Sequence, residues 1–295
     1  MRCVMCPRTH HMTRDQGVMD FELFKNVVDE YVAINPAVAT GCDIFLHHFG
    51  ESLLHPEFGR FVRYAASKGL RPCLSVNPLM LTPSAANELI DCGPTELSIA
   101  LDGHDDESFE KIRGVKNAYE RSKANLMEYL RLKVARGSKT RVLVSMIDFS
   151  LNKGSIARLR GSWEAVPGVD RFLCKPFVTW NGSAQDVNCL AEGARARNVD
   201  FREQGLAVTC RKPWGEMSVT WDGALIACCF DYDKTYPLGN VRDSGLRDVW
   251  NGEKMQALRA EFIANKVDNP LCRDCAYLRA GVSLYDAVLG RLARG

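Results

Sequence analysis

The chain has 295 residues, of which 46% are hydrophobic and 25% are charged, and its formal net charge is +2. These values are ordinary for a globular protein and exclude extensive disorder, and the small charge gives no basic surface for nucleic acid or an acidic membrane. A segment of about 18 apolar residues is needed to span a bilayer, and no apolar run comes near that length. The N-terminus also lacks the apolar core of a signal peptide, so we expect a cytoplasmic protein. Because the cytosol keeps thiols reduced, the 12 cysteines favour metal or redox chemistry over disulfides.

Up to about residue 176, short apolar or β-branched runs alternate with amphipathic stretches. The predicted helices are 20–34, 56–67, 83–91, 118–135 and 156–165, and the predicted strands are 43–47, 72–76, 96–101, 141–146 and 170–175. This alternation predicts parallel strands joined by right-handed crossovers. We therefore expect an α/β fold, a partial (β/α)6 TIM-type barrel whose first strand would precede the printed sequence.

After about Asn181 the pattern changes. Gly, Asn and polar residues predict a linker over 181–205, between a barrel domain over 1–180 and a small α+β domain over 206–295. In that small domain, strands over 216–220 and 224–228 flank an Asp222-Gly223 hairpin turn, and a helix follows over 246–265.

The C-terminal cysteines have the spacing of a metal-ligand set. Cys210 is followed by the adjacent pair Cys228 and Cys229, and then by the CxxC of Cys272 and Cys275. Four thiolates suit either a 4Fe–4S cluster or a tetrahedral zinc, and spacing does not distinguish the two. The remaining scattered cysteines are expected to be small buried apolar residues: Cys42, Cys73, Cys92, Cys174 and Cys189.

The run from Cys3 to Arg8, a CxxC followed by Pro-Arg, resembles the CxxxCxxC loop of radical S-adenosylmethionine (SAM) enzymes. Cys3 and Cys6 match the second and third cysteines, and the first would fall two residues before Met1. The resemblance implies a 4Fe–4S cluster held by three cysteines, with SAM on the fourth iron. His10 or His11 as a replacement ligand is the weaker alternative. A wrongly assigned start explains the missing cysteine more simply than evolved loss, and we expect the printed polypeptide to be catalytically poor.

Further motifs follow in the order of the same family. Gly50 and Glu51, within Phe-Gly-Glu-Ser, resemble its GGEP motif, and Asn77 lies where the family has a Thr-Asn-Gly strand end. The stretch 98–103 resembles the Ser-x-Asp-Gly strand and includes Asp102, with Ala100 at the family's serine position and Ser98 on the same strand face. Arg113 follows at helical spacing. The resemblance implies that these residues bind SAM: Gly50, Glu51, Asn77, Ser98, Asp102 and Arg113.

The C-terminal region resembles the SPASM or twitch extension of this superfamily, in its single-cluster form. That resemblance selects as ligands of an auxiliary 4Fe–4S cluster Cys210, Cys228, Cys272 and Cys275, while Cys229 faces the other side of a strand. Asp231 is a candidate proton acceptor near that cluster, and a turn carboxylate is the equally weighted alternative.

The resemblance implies reductive cleavage of SAM to a deoxyadenosyl radical and abstraction of a substrate hydrogen. We expect an oxidoreductase on a small polar metabolite such as a sugar, aminocyclitol or antibiotic precursor, reduced by flavodoxin or ferredoxin. One alternative is a peptide-modifying enzyme. Another is a single-cluster protein that carries electrons or serves as a partner subunit. Neither a nucleic acid nor a membrane is expected as partner.

Overall fold

The computed structural model describes residues 1–183, 190, 210–275 and 278. They form two compact units. The first comprises Met1–Thr9 and Phe24–Pro176, and the second comprises His10–Leu23 with the described residues from Phe177 onward. The predicted linker and Cys189 lie mostly or wholly outside the described residues. No helix in the described part of the chain is long and apolar enough to cross a membrane.

The first unit is built on a five-stranded parallel sheet whose strands follow one another in chain order. This is the predicted strand content and topology. The strands are β1 (Asp43–Phe45), β2 (Arg71–Val76), β3 (Glu96–Ala100), β4 (Arg141–Asp148) and β5 (Arg171–Pro176). The helices are α1 (Pro7–His10), α2 (Phe21–Ile34), α3 (Pro36–Ala39), α4 (Phe58–Ser67), α5 (Pro83–Cys92), α6 (Asp106–Arg113), α7 (Tyr119–Ala135) and α8 (Lys153–Glu164). The sequence prediction did not include α6.

The two faces of this sheet differ in composition because successive strand residues point to opposite sides. One face carries fully buried apolar residues and forms the core with the helices: Leu74, Leu97, Ile99, Val142, Val144 and Phe172. On the opposite face, Ser75 lies beside Ser98 in the register, and Ile147 lies beside Lys175. We call this second face the polar face. It carries the side chains available for chemistry.

The second unit contains an antiparallel sheet of three strands, β6 (Ser218–Val219), β7 (Ala224–Ile226) and β8 (Pro237–Asn240). The two predicted strands are present but shorter, and β8 was not predicted. Its helices are α9 (Lys212–Gly215), α10 (Val241–Asn251) and α11 (Glu253–Ile263). The single helix predicted over 246–265 was wrong, because Gly252 has an extended ψ of 168° and separates α10 from α11.

The segment 10–23 packs within the second unit although it directly follows the N-terminal CxxC. Asp233 accepts hydrogen bonds from the backbone N–H groups of Thr13 (2.6 Å) and Arg14 (2.8 Å). The indole N–H of Trp221 donates to the carbonyl of Asp15 (3.2 Å). The N-terminal segment therefore completes the C-terminal unit.

Candidate functional site

The N-terminal CxxC lies against the end of α6. The N–H of Arg2 donates to the carbonyl of Arg113 (3.1 Å), and that of Val4 donates to Ile112 (3.0 Å). Nη1 of Arg113 lies 3.7 Å from Sγ of Cys3. The structure thus brings Cys3 beside the predicted SAM-binding arginine.

Cys6 lies one turn further along the same loop. Its N–H donates to the carbonyl of Cys3 (3.2 Å). Burial raises the pKa of the Cys6 thiol, and the neighbouring Cys3 adds to this effect. Binding iron would displace the proton, since only the thiolate is a metal ligand.

Glu51 and Asn77 meet near the ends of β1 and β2. Oε2 of Glu51 accepts from the N–H of Asn77 (2.8 Å), and Oε1 accepts from that of Leu53 (3.1 Å). Burial raises the pKa of Glu51. Gly50, directly before it, is exposed and has open space beside its Cα. The pair therefore joins two strand ends, next to a glycine that leaves room for a ligand.

Asp102 and Arg113 form a buried ion pair within the first unit. Oδ1 of Asp102 also accepts from the N–H of Ile147 (2.8 Å) and from Nδ2 of Asn152 (3.1 Å). Burial disfavours the charge of Arg113, but Asp102 and Cys3 outweigh it and raise the pKa of the guanidinium. Asp102 thus fixes Arg113, instead of offering a free carboxylate.

Arg113 retains one unused donor. Its Nε is buried and has no hydrogen-bond partner in the part of the chain that the structure describes. A buried unsatisfied donor is unfavourable unless a ligand pairs with it. A carboxylate such as that of SAM is a fitting acceptor, because guanidinium and carboxylate geometries match.

Ser98 lies on the polar face and is only 9% exposed. Its hydroxyl accepts from Nζ of Lys175, 3.1 Å away. Lys175 was not among the residues predicted from the sequence, although alternation along its strand places it on the polar face. Nδ1 of His47 accepts from the N–H of Ser75 (3.1 Å).

In the second unit, the four predicted auxiliary ligands line one cavity: Cys210, Cys228, Cys272 and Cys275. Cys229 does not line it, and its sulfur instead accepts from Nζ of Lys212 (3.3 Å). Burial raises the pKa of Cys210 to about 11 and also raises that of Cys272. The cavity therefore gathers the thiols that the sequence selected.

Four thiols that line one cavity can, as thiolates, hold a 4Fe–4S cluster or a tetrahedral zinc.

Asp231 is completely buried. Its Oδ1 accepts from the N–H of Thr235 (2.6 Å), and its Oδ2 accepts from that of Tyr236 (2.9 Å). Burial raises the pKa of this carboxyl. In this structure the carboxylate holds the loop over 231–236, and its role as proton acceptor stays a prediction.

Family models match both the N-terminal part of the chain, which holds the CxxC loop, and the C-terminal part, which holds the cysteine cavity. The radical SAM superfamily model matches residues 1–151, which include the CxxC loop, Glu51 and Arg113. The chain belongs to the radical SAM superfamily. The SPASM iron–sulfur cluster-binding domain model matches residues 210–276, which span all four cavity cysteines. SAM and iron–sulfur clusters are therefore the cofactors of this radical SAM protein.

The proteins similar to this chain differ in the target or ligand that their names give. The tungsten-containing aldehyde ferredoxin oxidoreductase cofactor-modifying protein of Pyrococcus furiosus is 25% identical, over 94% of this chain and 84% of the relative. BtrN in complex with AdoMet and 2-DOIA aligns with a TM-score of 0.60 at 16% identity, covering 96% and 90% of the two chains. Native anSMEcpe with bound AdoMet and Cp18Cys peptide aligns with a TM-score of 0.61 at 12% identity, covering 99% and 94%.

Proposed function

We propose that this radical SAM protein is an oxidoreductase that removes hydrogen from a small polar metabolite. The observation that carries the proposal is the cavity lined by Cys210, Cys228, Cys272 and Cys275. Four thiolates saturate a 4Fe–4S cluster, so this site has no open iron for substrate. Such a cluster could accept the second electron from the substrate radical, as that radical loses a proton and becomes the oxidised product.

In the first unit, Cys3 and Cys6 would hold the second cluster together with one further ligand. When bound, that cluster supplies the electron that cleaves SAM to a deoxyadenosyl radical. Glu51 and Asn77, which follow β1 and β2, and Ser98 within β3 would position SAM, with Gly50 allowing close approach of the ligand. Arg113 would pair with the SAM carboxylate through its unused Nε, and Asp102 would hold the guanidinium in place.

The small-molecule assignment draws support from the fold shared with BtrN, whose structure contains AdoMet and 2-DOIA. A peptide substrate is the second candidate, because the fold is equally similar to anSMEcpe, whose structure contains a peptide. The two candidates differ in substrate but require the same cofactors and the same residues.

Anaerobic reconstitution tests the cofactor assignment. We expect about four irons for the auxiliary cluster of the chain, and about eight, with release of deoxyadenosine from SAM, once a cysteine is supplied at the first motif position. About four irons in both polypeptides without SAM cleavage would support the electron-carrier alternative. Zinc in place of iron would contradict both.

A set of cysteine variants tests which thiols bind the iron of the auxiliary cluster. We expect Cys272→Ala to lose iron and to destabilise the second unit, because cluster binding there contributes to folding. The matched control is Cys229→Ala, which alters a cysteine outside the cavity and should keep its iron. Equal iron in the two variants would show the ligand assignment to be wrong.

The proton acceptor needs a separate assay. If Asp231 accepts the substrate proton, Asp231→Asn will still release deoxyadenosine but will form no oxidised product. Unchanged product formation would leave Asp231 as a structural carboxylate.

A further inference from the structure

We propose that Lys175 binds an anionic group of the substrate, a carboxylate or a phosphate, on the polar face of the sheet. This inference rests on the proposed function, and it narrows the substrate class from small polar metabolites to negatively charged ones. Lys175 is the penultimate residue of β5 and lies beside Ile147 of β4. Its ammonium reaches across to Ser98 of β3.

The first argument is that Lys175 has no counter-ion. Within residues 1–183, 190, 210–275 and 278, its only polar contact is with the Ser98 hydroxyl, and no carboxylate pairs with it. Lys133 of the same unit shows the usual alternative: its side chain is 8% exposed, and its ammonium lies 2.5 Å from Asp170. Lysines withdrawn from water are normally paired in this way, and Lys175, which is half-buried, lacks such a partner.

The second argument is that nearby carboxylates are already matched. Asp102 pairs with Arg113, and Glu96 lies 3.8 Å from Nη1 of Arg141. Both acids act on Lys175 at longer range, where Arg113 opposes them. Burial lowers the pKa of Lys175, so a bound anion would restore the stability of its charged form. The ammonium of Lys175 on the polar face is therefore suited to pair with an anionic ligand.

The third argument concerns His47, whose ring is acted on electrostatically by the same lysine. Burial, reinforced by Lys175, lowers the pKa of His47 to about 4, so the ring is neutral near pH 7. Because Nδ1 accepts from the N–H of Ser75, the ring proton resides on Nε2. His47 therefore adds a neutral N–H donor near the ammonium, and donors of this kind suit a carboxylate or phosphate.

SAM also carries a carboxylate, and it is the other source of the same chemistry. Arg113 already offers a buried unused donor to that group. Lys175 is a second, separate cation, which we therefore assign to the substrate.

Anion binding to the full reconstituted chain tests this assignment without knowledge of the substrate. Inorganic phosphate and acetate are titrated by calorimetry, with and without saturating SAM. We expect saturable binding that survives SAM and weakens about tenfold or more in Lys175→Met, because a charge-assisted hydrogen bond is lost. Lys175→Arg should retain most of the affinity. The charge-matched control Lys116→Met, at a side chain that is 81% exposed, should bind like the wild type.

Three results would overturn the proposal. One is the absence of saturable binding of either anion to the wild type, and another is equal binding by Lys175→Met. The third is displacement of the anion by SAM but not by decarboxylated SAM, which would assign Lys175 to the cofactor. Lys175→Gln, which keeps a donor without the charge, replaces the Met variant if that variant melts early. Anion binding and SAM cleavage are measured in separate experiments. Intact anion binding together with failed SAM cleavage would therefore contradict only the proposed function.

Discussion

Replacing Gly114 by alanine tests how the CxxC loop is held. Gly114 ends α6 with φ +67°, and a Cβ there would lie 2.7 Å from the carbonyl oxygen of Arg2. The left-handed conformation alone costs an alanine about 1–2 kcal/mol. Moving Arg2 would also break its hydrogen bond to Arg113 and strain that of Val4 to Ile112. At up to about 1 kcal/mol each, the two bonds bring the expected loss of unfolding free energy to about 2–4 kcal/mol.

Gly93→Ala is the matched control. Gly93 ends α5 with φ +59°, but its Cβ position has nothing within 4 Å, so only the conformational cost of about 1–2 kcal/mol applies. Urea unfolding followed by circular dichroism gives both free energies. Alkylation of Cys3, read by peptide mass spectrometry, should be faster only in Gly114→Ala. Equal destabilisation of the two variants, with unchanged Cys3 reactivity, would refute the close packing of the loop on α6.

Three further variants test individual polar contacts. Asp102→Asn should lose about 3–5 kcal/mol of unfolding stability in urea, because Arg113 keeps a buried charge without its partner. The control is Glu128→Gln, which removes the exposed ion pair with Arg131 and should unfold like the wild type. An equally small loss of stability in Asp102→Asn would disprove the buried ion pair. The pKa of His47 is about 4 in the folded state, below its ordinary value of 6.5. The unfolded chain therefore binds a proton first as the pH falls, and the folded state loses stability between pH 6.5 and about pH 4. His47→Asn should therefore flatten the stability curve between those pH values, and an unchanged slope would contradict burial of a neutral ring. Asp231→Asn should cost about 1–3 kcal/mol in urea unfolding by leaving one loop N–H unpaired, whereas wild-type stability would exclude that structural role.

Much of the fold was predictable because its signals are local. Alternating apolar residues and their spacing predicted the five parallel strands and the crossover connections between them. The errors have equally simple causes. The strand β8 was missed because it contains Pro237 and Gly239, which give little strand signal, and because it is held in place by backbone pairing with β7. Gly252 divides a stretch whose overall pattern looks like one continuous helix.

The candidate ligands of the auxiliary cluster were selected from the sequence alone. CxxC spacing and a resemblance to known motifs selected the four auxiliary thiols, and the fold gathers them around one cavity. Within the adjacent pair, an expected strand alternation favoured Cys228 over Cys229, but β7 ends at Ile226 and neither cysteine lies in a strand. The structure gives the contact that the alternation could not supply, namely the 3.3 Å approach of Lys212 to the Cys229 sulfur.

The sequence by itself thus predicted the family, the parallel strands and the candidate thiols, because each depends on residue types at recognisable spacings along the chain. The tertiary structure alone decided which charges are matched: Asp102 with Arg113, and Lys175 with no carboxylate among the described residues. It also decided that segment 10–23 belongs with the C-terminal unit. Such pairings depend on how strand ends and loops meet in space, and contacts between residues far apart in the chain leave no periodic signal in it.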